Sequence, residues 1–228
     1  MTSCLLCGSQ LMPVIDLRVL LSFCPLQKSE TCQRCWQKFT PIQQTHCCPE
    51  CGRQQSGTTQ CSDCRRWGRT DGFVNRALFA YDEVMQAFMV QYKFRGDYRL
   101  RRVFQSAFID AVKTLEPDLV VPIPVHPDTL RTRGFNQVAG FLEGVSWRDM
   151  LTTVAEIKQT PQSSKQRADR LVTPQPFKLK DEQKNICVGK RVLVVDDIYT
   201  TGTTIRFAAD ILRQAGSLEV HGLTLAHG

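Results

Sequence analysis

Two adjacent carboxylates, Asp196 and Asp197, stand directly before a hydroxyl-rich turn, Thr200-Thr201-Gly202-Thr203-Thr204. Two neighbouring carboxylates accept hydrogen bonds from a pair of neighbouring hydroxyls, such as a ribose diol. A Thr/Gly turn that opens a helix offers N–H groups and hydroxyls to a phosphate. Together they describe a site for a ribose 5-phosphate. The flanking residues must supply the scaffold. Val192–Val195 is an unbroken β-branched and apolar run, which predicts a strand buried on both faces of a parallel sheet. Ile205, Ala208, Ala209, Leu212 and Ala215 recur at helical spacing, and Gly216 supplies a stop. The order strand, acid pair, loop, helix puts the polar groups beyond the carboxyl end of a strand, where open α/β sheets bind ligands.

A second chemistry is carried by sulfur. Eight of the eleven cysteines form four C-x-x-C pairs: Cys4 and Cys7, Cys32 and Cys35, Cys48 and Cys51, Cys61 and Cys64. Two such pairs supply the four thiolates of a tetrahedral Zn²⁺. Gly8 and Gly52 follow two of the pairs and permit a tight turn around the sulfurs. Without an export signal, this pattern favours metal over disulfides. Sequential pairing gives Cys4, Cys7, Cys32 and Cys35 around one ion and Cys48, Cys51, Cys61 and Cys64 around the other; a crossed pairing remains open at this point. His46 and Cys47 are rival ligands in the wrong register. Cys24, Cys47 and Cys187 are left over as small buried side chains. All-thiolate sites are closed, so the zinc is expected to be structural.

The 228 residues suffice for one sizeable core and a small appendage, and we divide them into a cysteine-rich unit, 1–68, and an α/β unit, 69–228. A net charge of +7 favours anionic partners. No apolar run reaches the length of a membrane span, and Leu17–Leu26 is short, contains Arg18 and does not read as a leader. A cytoplasmic protein is expected.

Between the cysteines and the acid pair, the pattern alternates. Arg65-Arg66-Trp67-Gly68-Arg69 reads as an exposed basic hinge and Gly72–Tyr81 as a strand. Asp82 caps a helix that carries Val84, Phe88 and Tyr92 on one face. A second helix has a core stripe from Leu100 to Leu115. Leu119–Ile123 is a strand followed by the rigid loop Pro124-Val125-His126-Pro127. Arg131 and Arg133 precede a helix bearing Val138, Phe141, Leu142 and Val145; cations at a helix start oppose its dipole, which points to an anionic ligand there. Thr152–Ile157 reads as a short strand, Gln159–Arg170 as polar with Lys165 and Arg167, Phe177–Asn185 as a charged surface loop, and Leu218–Leu225 as the last strand. Alternating strands and helices imply a doubly wound parallel sheet.

The run V-V-D-D-I-Y-T-T-G-T-T resembles the phosphoribosyl pyrophosphate (PRPP) motif of type I phosphoribosyltransferases. Receiver domains also open with V-V-D-D, but too little chain follows Asp197 for one. With the four C-x-x-C pairs, Y-K-F-R-G at Tyr92–Gly96, V-P-I-P-V-H-P at Val121–Pro127 and R-T-R-G-F-N-Q at Arg131–Gln137, nearly the whole chain resembles the ComF/GntX family. That family joins a double zinc ribbon to a phosphoribosyltransferase-like domain. Its usual R-x-x-N is absent, since Leu171, Val172 and Thr173 follow Arg170. The resemblance implies PRPP with Mg²⁺ on its pyrophosphate. Thr200, Thr201, Gly202, Thr203 and Thr204 would hold the 5′-phosphate and Asp196 and Asp197 the ribose hydroxyls, with His126, Arg131 and Arg133 near the pyrophosphate. It also implies handling of imported single-stranded DNA in natural transformation, with Lys93, Arg95, Arg131 and Arg133 as backbone contacts and a helicase-type competence protein as a partner. An active phosphoribosyltransferase of nucleotide metabolism is the alternative.

Overall fold

A computed structural model describes residues 3–11, 29–68, 72–154 and 175–228. Leu17–Leu26, Cys24, Arg69 and Gln159–Arg170 lie outside the described residues. The cysteine-rich segment contributes two short helices, α1 (Gln33–Trp36) and α2 (Ser62–Trp67). Strand β1 (Asn75–Ala80) leads to α3 (Glu83–Met89), where the Asp82 carboxylate accepts from the Met85 N–H as the sequence predicts. The helix then widens into a π turn, Val90–Phe94, before α4 (Arg101–Leu115). Strand β2 (Leu119–Pro122) is followed by α5 (Pro127–Arg133) and α6 (Gln137–Phe141). A two-stranded antiparallel ribbon, β3 (Leu151–Thr153) with β4 (Phe177–Leu179), precedes β5 (Arg191–Tyr199), α7 (Thr203–Gln214) and β6 (Glu219–His227).

The main sheet has the order β1-β6-β5-β2, and all its pairs are parallel. Alternate residues of its two central strands feed opposite cores. Leu193, Val195, Leu223 and Leu225 pack with Phe88, Phe104, Phe108 and Phe141 from α3, α4 and α6. Val192, Val194 and Val220 pack with Ile205, Ala208, Ala209 and Leu212 of α7. Burial on both faces explains why these strands read as continuous apolar runs. The α4 phenylalanines are core residues, as their spacing predicts. The second core also takes in Cys48, Cys51, Cys61 and Cys64 together with Phe73, and the first holds Phe39 and touches Leu5 and Leu6.

Three expectations are corrected. Arg131 and Arg133 do lead into α6, but they are not at its start: they occupy the last turn of α5, which starts at Pro127 and is capped by Gly134 with φ +82°. Proline at a first helical position and glycine in the left-handed cap position set these ends. The charges therefore suit the helix dipole, and the mismatch that argued for an anion disappears. Phe177–Asn185 is not a surface loop throughout: Phe177 is buried and pairs with Thr153. Arg65–Trp67 is not a loose hinge, because Ser62–Trp67 is helical and the Trp67 indole N–H donates to the Thr201 carbonyl at 2.8 Å.

Candidate functional site

Strand β5 does not stop at Val195 but runs through both acids to Tyr199, because β6 matches it residue for residue, Asp196 opposite Thr224 and Tyr199 opposite His227. The acids are thus held by a sheet ladder rather than by a loop. Both are buried, Asp196 at 7% and Asp197 at 5% exposure. Their surroundings differ. Asp197 meets the Lys93 ammonium at 2.5 Å, and Lys93 sits on the π turn after α3. Asp196 accepts the Asp197 backbone N–H at 2.8 Å. Burial, reinforced by the Asp197 charge, holds the Asp196 carboxyl well above the usual carboxylate range.

Lys93 is fixed from a second side. The Arg133 guanidinium donates Nε–H to the Lys93 carbonyl at 3.1 Å and also binds the Gln137 side chain. Burial lowers the Arg133 pKa and the Asp197 charge opposes that shift. The Tyr92 hydroxyl donates to the Gln137 carbonyl at 2.9 Å. Asn136 accepts from the Val138 and Ala139 N–H groups at the start of α6 and donates to the Ile123 carbonyl at 3.0 Å. R-G-F-N-Q therefore ties the end of β2 to the start of α6 and to the π turn.

The Thr/Gly turn lies between β5 and α7. Gly202 caps α7 with φ +80°, and a Cβ there would collide with the Tyr199 hydroxyl, so glycine is required twice over. Thr201 and Thr203 are buried and their hydroxyls share a 2.8 Å hydrogen bond; Thr200 and Thr204 are partly exposed. Tyr199 stacks on His227 at 4.8 Å, and burial lowers the His227 pKa to about 4, so this ring is neutral beneath the turn.

His126 caps α5, accepting the Asp128 N–H at 3.3 Å. Arg131 is exposed and paired with Asp128. Arg95 is exposed at the end of the π turn. A cleft bounded by Pro122, Pro124, Val125, Leu130, Trp147 and Lys180 takes in neither the acid pair nor the Thr/Gly turn.

The sulfurs gather in the sequential sets. Cys4, Cys7, Cys32 and Cys35 lie within 4.8 Å of one another, as do Cys48, Cys51, Cys61 and Cys64. All-thiolate sets of this size suit a tetrahedral ion. In the second, the Cys61 N–H donates to the Cys48 sulfur at 3.3 Å, the kind of support a thiolate ligand needs. Gly52, with φ +75°, lies so close to β1 that a Cβ would stand 2.9 Å from the Ala77 nitrogen. His46 belongs to neither set, and the Cys47 thiol donates to the Gln44 carbonyl.

A family model described as the phosphoribosyl transferase domain matches residues 136–228. Competence protein ComFC of Streptococcus pneumoniae is 37% identical over 163 residues, 71% of this chain and 72% of that protein. The chain belongs to the ComF family. ComFC of Bacillus subtilis is 34% identical over 145 residues, 62% of this chain and 59% of that protein. Competence protein F of Haemophilus influenzae is 29% identical over 153 residues, covering 63% and 67%. The fold of this ComF chain is the α/β phosphoribosyltransferase type with two four-cysteine clusters, and among the described residues no helix is long and apolar enough to cross a membrane.

Sequence reasoning missed three parts of the candidate site: the Lys93–Asp197 pair, the Trp67 contact to the loop, and Arg206. The last lies on α7 beside the apolar stripe and is 1% exposed. An arginine flanking a buried stripe was the available signal; its partners Glu50, Cys64 and Trp67 are distant in sequence and left none.

Proposed function

We propose that this ComF chain binds PRPP or a related ribose 5-phosphate compound and handles imported single-stranded DNA during natural transformation. The observation that carries the reading is the acid pair held on β5, with Lys93 paired to Asp197, Arg133 bracing Lys93 and the Thr/Gly turn next in the chain. In it, Thr200–Thr204 takes the 5′-phosphate. Asp197 receives the ribose hydroxyls, with Asp196 behind it. His126, Arg131 and Arg133 lie toward the pyrophosphate. Mg²⁺ bound with PRPP would supply charge neutralisation at the pyrophosphate. Each four-cysteine cluster holds a structural zinc, and elemental analysis is expected to give about two ions per chain, since four thiolates fill one site. Absence of zinc with four disulfides by mass would overturn this.

Of the four cations named for this role, Arg95 and Arg131 are the exposed ones; Arg131 pairs with the exposed Asp128, whereas Lys93 is committed to buried Asp197 and Arg133 to Lys93 and Gln137. Binding of mixed-sequence single strands, followed by fluorescence anisotropy, should fall steeply with salt and show little sequence preference. Replacing Arg95 and Arg131 together by alanine should flatten the log K against log salt slope by about one per residue or less. An unchanged slope would remove these arginines from the surface. A helicase-type competence protein is the proposed partner, and the cytoplasm the proposed compartment. Calorimetry with PRPP and Mg²⁺ tests the nucleotide half of the reading; no heat with either PRPP or ribose 5-phosphate would defeat it.

A further inference from the structure

Arg206 is a cation with almost no access to water, and its partners belong to two different places. Its Nε–H donates to the Tyr199 hydroxyl at 3.2 Å, directly against Gly202 of the Thr/Gly turn. Its terminal nitrogen reaches the Cys64 sulfur at 3.8 Å and the Glu50 carboxylate at 3.5 Å, both in the second four-cysteine cluster or beside it. The guanidinium also lies over the Trp67 and Phe73 rings, at 5.4 and 5.0 Å. A buried charge is tolerated only when it is paired and hydrogen-bonded. A divalent ion in four thiolates leaves a net negative centre, the counter-charge that Arg206 faces.

The backbone makes the same connection. Helix α2 is capped at its start by Cys61, contains Cys64, and ends at Trp67, whose N–H binds the Thr201 carbonyl at 2.8 Å. One metal-ligand candidate at the N-cap, a second within the helix and one loop contact are therefore carried by a single six-residue helix. We propose that Arg206 and Trp67 couple the metal centre of Cys48, Cys51, Cys61 and Cys64 to the phosphate loop, so that metal there raises the loop's affinity for a phosphate monoester. This rests on the reading of Thr200–Thr204 as a phosphate site. The ion fixes α2; α2 fixes the Thr201 carbonyl; Arg206 fixes Tyr199 under Gly202. Among the described residues, Trp67 and Arg206 tie the second cluster to the loop, and the metal of the first cluster is expected to have no such effect.

Linkage makes the coupling reciprocal: if the metal strengthens phosphate binding, phosphate must strengthen metal binding by the same factor. The zinc-loaded full chain is titrated with ribose 5-phosphate by calorimetry, and its thiols are alkylated with and without that ligand. Peptide mass spectrometry then reads each cysteine. Saturating ribose 5-phosphate is expected to slow alkylation of Cys48, Cys51, Cys61 and Cys64 severalfold and to leave Cys4, Cys7, Cys32 and Cys35 unchanged. Trp67→Phe keeps the ring over Arg206 but removes the N–H; it should lose about three- to tenfold in ribose 5-phosphate affinity, the size of one neutral hydrogen bond, with zinc content unchanged. It should also lose most of the protection. Normal ligand affinity in Trp67→Phe, or equal protection of both clusters, overturns the coupling while the phosphate site stands. Wild-type protein that binds no ribose 5-phosphate overturns the site and the coupling with it.

Discussion

Asparagine at Asp196 and at Asp197 should move stability in opposite directions, although the two residues are neighbours. Asp196 is a buried carboxyl with its pKa raised, chiefly by burial. The sign follows from linkage. A group whose folded pKa lies above its unfolded value, about 3.9 for Asp, costs no stability below the unfolded pKa. The cost grows as pH rises toward the folded pKa and is constant above it. Asp196→Asn keeps an acceptor oxygen for the Asp197 N–H and removes the charge. It should melt higher than wild type at pH 7 and lack the decline in stability expected of wild type as pH rises from about 4. Asp197→Asn leaves the half-buried Lys93 ammonium without its partner at 2.5 Å. Removing one member of a buried pair costs about 3–5 kcal/mol; Lys93 keeps some solvent, so roughly half of that is expected. The same variant should weaken PRPP binding about ten- to a hundredfold, the worth of one charge-assisted hydrogen bond to a ribose hydroxyl. Thermal melts across pH, beside calorimetry, check both. Equal melting shifts for the two variants would mean that their environments do not differ as described.

Serine at Cys51 should be far more damaging than serine at Cys7. All four sulfurs of the second cluster belong to buried residues and share a core with Val121, Val194, Ile205 and Ala208. Asn75 donates to the Cys51 carbonyl at 3.0 Å and to the Thr224 hydroxyl at 3.0 Å, which binds this cluster to β1 and β6. Cys7, in the first cluster, is exposed. Loss of a structural metal ligand in a packed core belongs with the severe substitutions, of about 4 kcal/mol or more. For a chain of this size that lowers Tm by about 8–16 °C. Cys7→Ser should release one zinc with a Tm change of only a few degrees. Scanning calorimetry with zinc analysis decides the matter; comparable losses of Tm would show that the first cluster supports the sheet as strongly as the second.

The elements with a strong local signal were legible in the sequence. The run Val192–Val195 could only be a strand buried on both faces, and the stripe Leu100–Leu115 only a core helix, because side-chain periodicity is fixed by backbone geometry. C-x-x-C spacing likewise announces a metal turn, since one short turn brings both sulfurs to one ion. Residues whose role depends on distant neighbours were not legible. Arg131 and Arg133 sit at a helix end rather than a start, because two local stops, Pro127 and Gly134, bound a helix too short to show a period. Which cysteine pairs gather in one cluster, Lys93 against Asp197 across 104 positions, and Arg206 between Tyr199 and Cys64 were decided by tertiary structure alone. Sequence by itself determined the family, the sheet type and the supply of acids, hydroxyls and thiols. Packing decided which of them meet and which are silenced, because a buried charge takes its properties from whatever the fold places against it.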